Sequence, residues 1–522
     1  MTEFDPIEGE LFKNLFVSIS EEMGAVLERT SLSPNIKERR DFSCALFNCK
    51  GETFAQGSHI PVHLGAMPLS VQESLKHLHF EDGDTALLND PYKGGTHLPD
   101  LTCISPVFIK NKLTFLAANR AHHSDIGGMS PGSMPLATEI FQEGLIIPPV
   151  KLVKKGKLDK DLFHFILANV RTPEERKGDL MAQIAANDKG RARLKETIEK
   201  FGLKKISRYA SLIQDYTEKI LRKTIKNIPD GEYEFFDHMD DDGISEKPVQ
   251  IAVKITIKED RAVIDFSSSS KQVAGGINAN SAVTLSAVLY VFRSLVEEDI
   301  PFNTGLLRPL EIIAPRGSLL NAEFPSATAG GNVETSQRIV DVLLGALFKA
   351  VPDKIPAASS GTMNNVTFGG FHKERKTRFA YYETIGGGMG AGLHYDGLSG
   401  VHTHMTNSLN TPLEAMENYL PLYIKKYSLR PRSGGEGKNK GGDGIIREYE
   451  FCVPTQISII SERRKFSPYG LNQGKSGKQG VNILIRADGE KIKLNSKVNL
   501  KANSGDILHI ETPGGGGYGK KK

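Results

Sequence analysis

Apolar residues recur at helical spacing from Ile7 through Leu11, Leu15, Phe16, Ile19, Met23, Val26 and Leu27, stopping before Ser31-Leu32-Ser33-Pro34. One amphipathic helix over 7–31 is predicted. Residues 41–55 alternate around Asn48-Cys49-Lys50-Gly51, a hairpin signature. A second helix is expected over 62–79, and strands over 84–88 and 101–117, the latter interrupted by a turn at Asn111-Lys112. Residues 162–170 and 176–223 are rich in Lys, Glu, Ala and Leu with few breakers, and read as long helical stretches. The texture changes near Pro229-Asp230-Gly231. Strands are predicted over 231–237, 249–257 and 261–266, then helices over 281–298 and 336–351. Beyond about 353 the chain is strand- and glycine-rich, with glycine loops at 386–392, 434–442 and 514–519. No internal repeat is visible. The expected class is α+β (mixed α/β) and multi-domain, divided as 1–228, 229–352 and 353–522.

Composition narrows the function classes more than it changes this picture. The 522 residues have ample core for two to four domains at the usual ~100–200 residues each. A net charge of +4 is too weak a bias to indicate nucleic acid. No apolar run reaches the ~18 residues of a membrane span. Met1-Thr2-Glu3-Phe4-Asp5 is acidic where a signal peptide is basic. Cys44, Cys49, Cys103 and Cys452 form no CxxC pair, so a reduced, cytoplasmic setting is expected.

The chemistry concentrates in two polar segments, Asn89–Asp100 and Ala118–Gly128, joined by the predicted strand pair. Such a hairpin brings His97 and Asp100 opposite His122 and His123. Pro99 forbids a helix at His97-Leu98-Pro99-Asp100, and a turn can place residues i and i+3 on one side. Two imidazoles with one or two carboxylates suit Zn, Mn or Fe at an open site, whereas closed zinc sites favour thiolates. A polar loop whose His and Asp bond only the backbone is the alternative. Adjacent residues on an extended strand point oppositely, so one of His122 and His123 reaches an ion and the other orients a ligand, contacts substrate or shuttles protons. Spacing does not say which. The cluster Lys37–Ser43 reads on residues alone as a solvated face.

Other motifs carry less. Gly470–Ser476 has three residues between its glycines where a P-loop needs four, and Gly514–Gly519 is followed by too little chain for a helix. Neither is a nucleotide site. Gly128-Met129-Ser130-Pro131-Gly132 has the letters of a nucleophile elbow, but Pro131 lacks the N–H an oxyanion hole needs. Thr335 or Ser336 is expected to cap a helix, with anion binding as the lesser alternative. His394, His402 and His404 with Asp396 suit a second metal cluster, a pocket loop or a subunit contact.

The segments NDPYKGGTHLPDLT and ANRAHHSDIGGMSPGS resemble the signature of the hydantoinase B/5-oxoprolinase family, which includes related carboxylase subunits. The likeness continues through SPNIKERRDFSCALF (33–47), GSHIPVHLGAMP (57–68), GNVETSQRIVD (331–341) and TPGGGGYG (512–519). The resemblance implies a metal-binding B subunit of an ATP-dependent cyclic-amide hydrolase acting on a hydantoin, 5-oxoproline or lactam. It implies ligands Asp41, His97, Asp100 and His122, which reverses the reading of Asp41 and selects His122. His123 and Asp125 are then the candidate proton carriers. It further implies a hydantoinase A-type partner with an actin-like fold that binds ATP and phosphorylates the amide, in an (αβ)2-like hetero-oligomer. The alternatives are a subunit of an ATP-dependent carboxylase of acetone or aryl ketones, and a scaffold that holds a catalytic partner.

Overall fold

The computed structural model describes residues 5–521, so Met1–Phe4 of the acidic N-terminus lie outside it. The architecture is mixed α+β, with four sheets among the described residues. The first is seven-stranded and antiparallel, in the order Thr53–Gln56, Phe42–Asn48, Lys112–His122, Asp100–Ile109, Thr85–Leu88, Val150–Lys154, Lys157–Leu158. The hairpin expected over 41–55 and the pair around Asn111-Lys112 are both present.

Helices cover both faces of this sheet. Pro6–Thr30 and Pro173–Phe201 pack on one side, where Cys44, Leu46, Ala117 and Ala121 meet Phe16, Met23 and Ala186. Ala66–His77 packs on the other, where Leu116 and Ala118 meet Met67 and Val71. Alternation along Lys112–His122 therefore sends even-numbered side chains one way and odd-numbered ones the other.

The long helical stretch expected over 176–223 is two helices, Pro173–Phe201 and Leu203–Lys226. Gly202 between them takes φ 83°, a conformation no helix interior accommodates.

The second sheet runs Leu310–Ile313, Arg261–Asp265, Val249–Lys258, Gly231–Met239, with only its first pair parallel. Helices Ser281–Ser294 and Ser336–Phe348 bury against it or each other. Their core also takes in Ile60, Val62, Tyr382, Met405 and Ile460, so apolar packing is continuous across residues 228 and 353. Two further sheets, one built on Asn365–His372 and Thr455–Ile460 and one on Gly444–Phe451 and Ile507–Glu511, enclose Phe368, Tyr381, Tyr449 and Leu508. None of the described helices is long and apolar enough to cross a membrane.

Candidate metal centre

Asp100 opens one strand and His122 closes the next, and the two are direct partners across the ladder. Their side chains share the face covered by Ala66–His77. His97 lies in the turn before Asp100, whose N–H donates to the His97 carbonyl at 3.1 Å. Asn89 and Asn280 hold that turn: their Nδ2 groups donate to the carbonyls of Leu98 at 2.7 Å and Thr96 at 2.8 Å. The N–H of His122 donates to the Asp41 carbonyl at 3.0 Å, which brings the start of Phe42–Asn48 alongside.

Three ligand-type atoms meet here. His97 Nε2 and His122 Nδ1 are 3.2 Å apart, and each is 3.1 Å from Asp100 Oδ1. Bonds of about 2.0–2.2 Å to a divalent ion space neighbouring ligand atoms roughly 3.0–3.5 Å apart. Two imidazole N–H groups donating to the shared Oδ1 would satisfy the two nitrogen–oxygen edges and leave the nitrogens facing each other; an ion on the axis of the triangle engages all three atoms. All three residues are buried, and among the described residues this is the one His/Cys/Asp/Glu group with metal-ligand spacing. The donor set therefore fits a divalent transition metal, and the His394–Asp396–His402–His404 stretch forms no second cluster among those residues.

Burial alone raises the Asp100 carboxyl, yet the neighbouring His97 and His63 imidazoles and the His122 hydrogen bond hold it well below the usual carboxylate range. Burial lowers His122, against the pull of Asp100 and Asp41. Both shifts, an ionised Asp100 and a His122 that sheds its proton more readily, favour the protonation states metal binding requires. His97 Nδ1 and His122 Nε2 are buried without hydrogen-bond partners, so packing rather than a second hydrogen bond orients these rings. The His122 ring stacks on Tyr382 with centroids 4.3 Å apart. Tyr382 in turn donates to Asn365 Oδ1 at 2.8 Å, and Asn365 Nδ2 donates to Glu334 Oε1 at 2.6 Å.

Asp41 stands beside the triangle. It lines a cavity of about 20 Å³ with Asp100, His122, His63, Asn332 and Tyr382, room for about one water-sized group. The solvated-face reading of Lys37–Ser43 does not hold for its centre. Arg39 is fully buried and donates to Asn35 Oδ1, the Tyr382 carbonyl, Thr384 Oγ1 and Ser408 Oγ. These neutral acceptors occupy the guanidinium, whereas Arg40 is exposed and paired with Glu28.

His123 and Asp125 are not brought to this cavity. His123 follows the odd-numbered face to Pro173–Phe201, where Nε2 lies 2.9 Å from Gln183 Oε1, and burial pushes its pKa down to about 4. Asp125 accepts from the Arg171 guanidinium at 2.9 Å and from the Arg171 N–H at 2.8 Å. Sequence reasoning missed His63, whose Nε2 is 3.3 Å from Asp100 Oδ2 and Nδ1 2.9 Å from Ser43 Oγ. Its segment, GSHIPVHLGAMP, carried family likeness but no ligand spacing. Asn332 likewise lay in a segment of family likeness, GNVETSQRIVD, while Tyr382 left no signal of its own.

Thr335 and Ser336 do not cap a helix. They sit at the end of a π-turn, Gly331–Thr335, and at the start of Ser336–Phe348, donating to the carbonyls of Ile277 and Asn332. The N-terminal cap comes from Glu143, whose Oε1 accepts from the N–H groups of Thr328 and Ala329 at 2.9 and 2.8 Å.

The family model described as hydantoinase B/oxoprolinase matches residues 5–521. The chain belongs to that family. It is 43% identical to 5-oxoprolinase 1 of Arabidopsis thaliana over 99% of its own length, and spans 42% of that protein. It is 32% identical to a putative D-/L-hydantoinase B subunit of a Pseudomonas species, covering 99% of this chain and 90% of that one. Its fold is similar to that of the ATP-dependent caprolactamase from Pseudomonas jessenii, with a TM-score of 0.92 at 27% identity over 99% of this chain and 92% of the other. Membership in a family of 5-oxoprolinases and hydantoinases supports a hydrolase of cyclic amides.

Proposed function

We propose that this chain is the metal-binding B subunit of an ATP-dependent cyclic-amide hydrolase. The observation that carries the reading is the buried triangle of His97 Nε2, Asp100 Oδ1 and His122 Nδ1, with edges of 3.1–3.2 Å, beside a cavity. His97, Asp100 and His122 would hold Zn, Mn or Fe, with Asp41 as the fourth ligand. When bound, such an ion supplies Lewis-acid chemistry to a water and to a carbonyl-type oxygen near neutral pH.

The chain's own residues do the rest. Asp100, ionised between three imidazoles, supplies the negative charge that draws a cation into a buried site. Tyr382 fixes the plane of His122 from below. Thr96 and His63 occupy Asp100 Oδ2, which leaves Oδ1 facing His97 and His122. We assign His123 and Asp125 to support, through Gln183 and Arg171, in place of the proton-carrying role expected from the sequence.

The ATP site belongs, in this proposal, to a hydantoinase A-type partner in a cytoplasmic (αβ)2-like assembly, which activates the ring amide by phosphorylation. Support comes from two relatives: this chain spans only 42% of the Arabidopsis protein, and the Pseudomonas protein is a putative B subunit, a name that implies a companion chain. The test is ring opening of 5-oxoproline, hydantoin and caprolactam by the chain combined with its ATPase partner. ATP-dependent opening of one ring, lost in His122→Ala, is expected. Fixation of labelled bicarbonate in place of ring opening would replace the hydrolase with a carboxylase, and full activity of His122→Ala would leave the chain a scaffold.

A further inference from the structure

Asn332 is 3% exposed, and its Oδ1 is buried without a hydrogen-bond partner. Buried carboxamides are ordinarily satisfied, and one that is not calls for an explanation. Its position supplies one. Asn332 lines the same cavity as Asp41, Asp100 and His122, on the opposite side of the chain's topology, in the π-turn Gly331–Thr335.

That turn is held rigidly. A Cβ on Gly331 would lie 1.9 Å from the Asn278 carbonyl oxygen, so the turn is pressed directly against the backbone of 276–279. The Asn332 N–H donates to the Thr328 carbonyl at 3.3 Å, its carbonyl accepts from Ser336 Oγ at 2.6 Å, and Glu143 pins the turn's entry. The main chain of Asn332 is bonded while its side-chain Oδ1 is left unpaired. Isolated π-turns within helices are concentrated at functional sites.

A ring amide of five to seven atoms is necessarily cis, so its N–H and its carbonyl oxygen leave the ring on one edge. An open-chain secondary amide is trans and presents them on opposite edges. A cavity that offers metal-binding side chains and, beside them, an unpaired acceptor matches the cis edge. The N–H persists in the lactam, in the N-protonated activated amide and in the amine that leaves, so one acceptor serves throughout. We infer that Asn332 accepts the ring N–H of the substrate through Oδ1, and that this contact selects N-unsubstituted cyclic amides. The inference deepens the cyclic-amide reading and rests on it. A cavity of about 20 Å³ holds about one water-sized group, so binding a ring amide requires displacement of the wall formed by Met405 and Thr406, which lies in loop and not in a helix or strand.

The test compares a ring substrate with its N-methyl derivative, using the chain together with its ATPase partner. Sites built to bond an N–H reject analogues that lack it by large factors, here roughly 100-fold or more in kcat/KM. Asn332→Leu, which keeps the branching and the number of side-chain heavy atoms and removes the acceptor, should lower kcat/KM for the N–H ring by roughly tenfold or more and collapse the discrimination to about threefold. Metal content should stay at the wild-type level, which a disrupted centre would not allow. Should Asn332→Leu not fold, Asn332→Ser is measured in the same way, alongside inhibition of the wild type by 2-pyrrolidinone and N-methyl-2-pyrrolidinone; weaker inhibition by the N-methyl compound is expected. Unchanged discrimination in the folded variant, or none in the wild type, overturns the inference and leaves the hydrolase standing. Failure of the wild-type complex to open any ring overturns both.

Discussion

The glycine loops at 386–392, 433–442 and 512–519 and the pocket around His122 both bury irregular backbone, and they treat polar groups in opposite ways. In the loops, main chain packs on main chain: the N–H of Gly388 donates to the Pro513 carbonyl, that of Gly442 to Met389, that of Gly515 to Gly442 and that of Gly516 to Ala358. A Cβ on Gly388 would lie 2.0 Å from the Gly442 oxygen and 2.3 Å from the Gly515 nitrogen. Around His122 the main chain is equally well bonded, but His97 Nδ1, His122 Nε2 and Asn332 Oδ1 are buried and unpaired. Main-chain pairing of this kind serves stability. Of these three atoms, Asn332 Oδ1 is an acceptor on the cavity's lining, left unpaired at a cost of ~1–3 kcal/mol.

Substitutions can break this contrast. The largest expected effect is that of Gly388→Ala, where the colliding atoms are backbone and cannot swing away; a loss of more than ~4 kcal/mol, or no soluble protein, should appear in denaturant unfolding. Asp100→Asn should do the reverse. It should weaken metal binding by at least about 100-fold, with a much smaller shift of the unfolding midpoint. Asp41→Asn, which alters the proposed fourth ligand outside the triangle, should have a smaller effect and weaken metal binding about tenfold.

A subtler effect concerns Glu143. Burial pushes its carboxyl up to about 8, while an unfolded chain ionises it near its ordinary ~4.3. Between those values the folded state holds the proton more tightly, so stability falls as pH rises from about 4.5 to about 8. Glu143→Gln keeps an acceptor for Thr328 and Ala329 without the charge. Its melting temperature should match the wild type at pH 5 and exceed it at pH 8. Parallel pH profiles would contradict this.

Much of the site was legible because its chemistry is local. The Pro99 turn and the strand pair fixed by Asn111-Lys112 bring His97, Asp100 and His122 together within a span of 26 residues. Period-2 alternation explains why His123 departs from His122, although only family likeness chose between them. What stayed hidden comes from distant chain. Tyr382, Asn332 and His63 reach the cavity through tertiary packing, and a π-turn has no periodicity to announce it. The burial of Arg39 was likewise unreadable, since its partners at 382, 384 and 408 lie more than 300 residues away. Of the fold, the strands and helices with clear period were visible. The break at Gly202 and the interlocking of three glycine loops depend on contacts no local pattern records.

The central claim, a buried transition-metal centre on His97, Asp100 and His122, is tested most directly by elemental analysis of the chain purified without chelators and after reconstitution with Zn, Mn or Fe. The account predicts about one ion per wild-type chain, and close to none in a His97→Ala variant whose circular dichroism matches the wild type. A wild-type chain that retains no transition metal, or a folded His97→Ala chain that retains as much as the wild type, would contradict it.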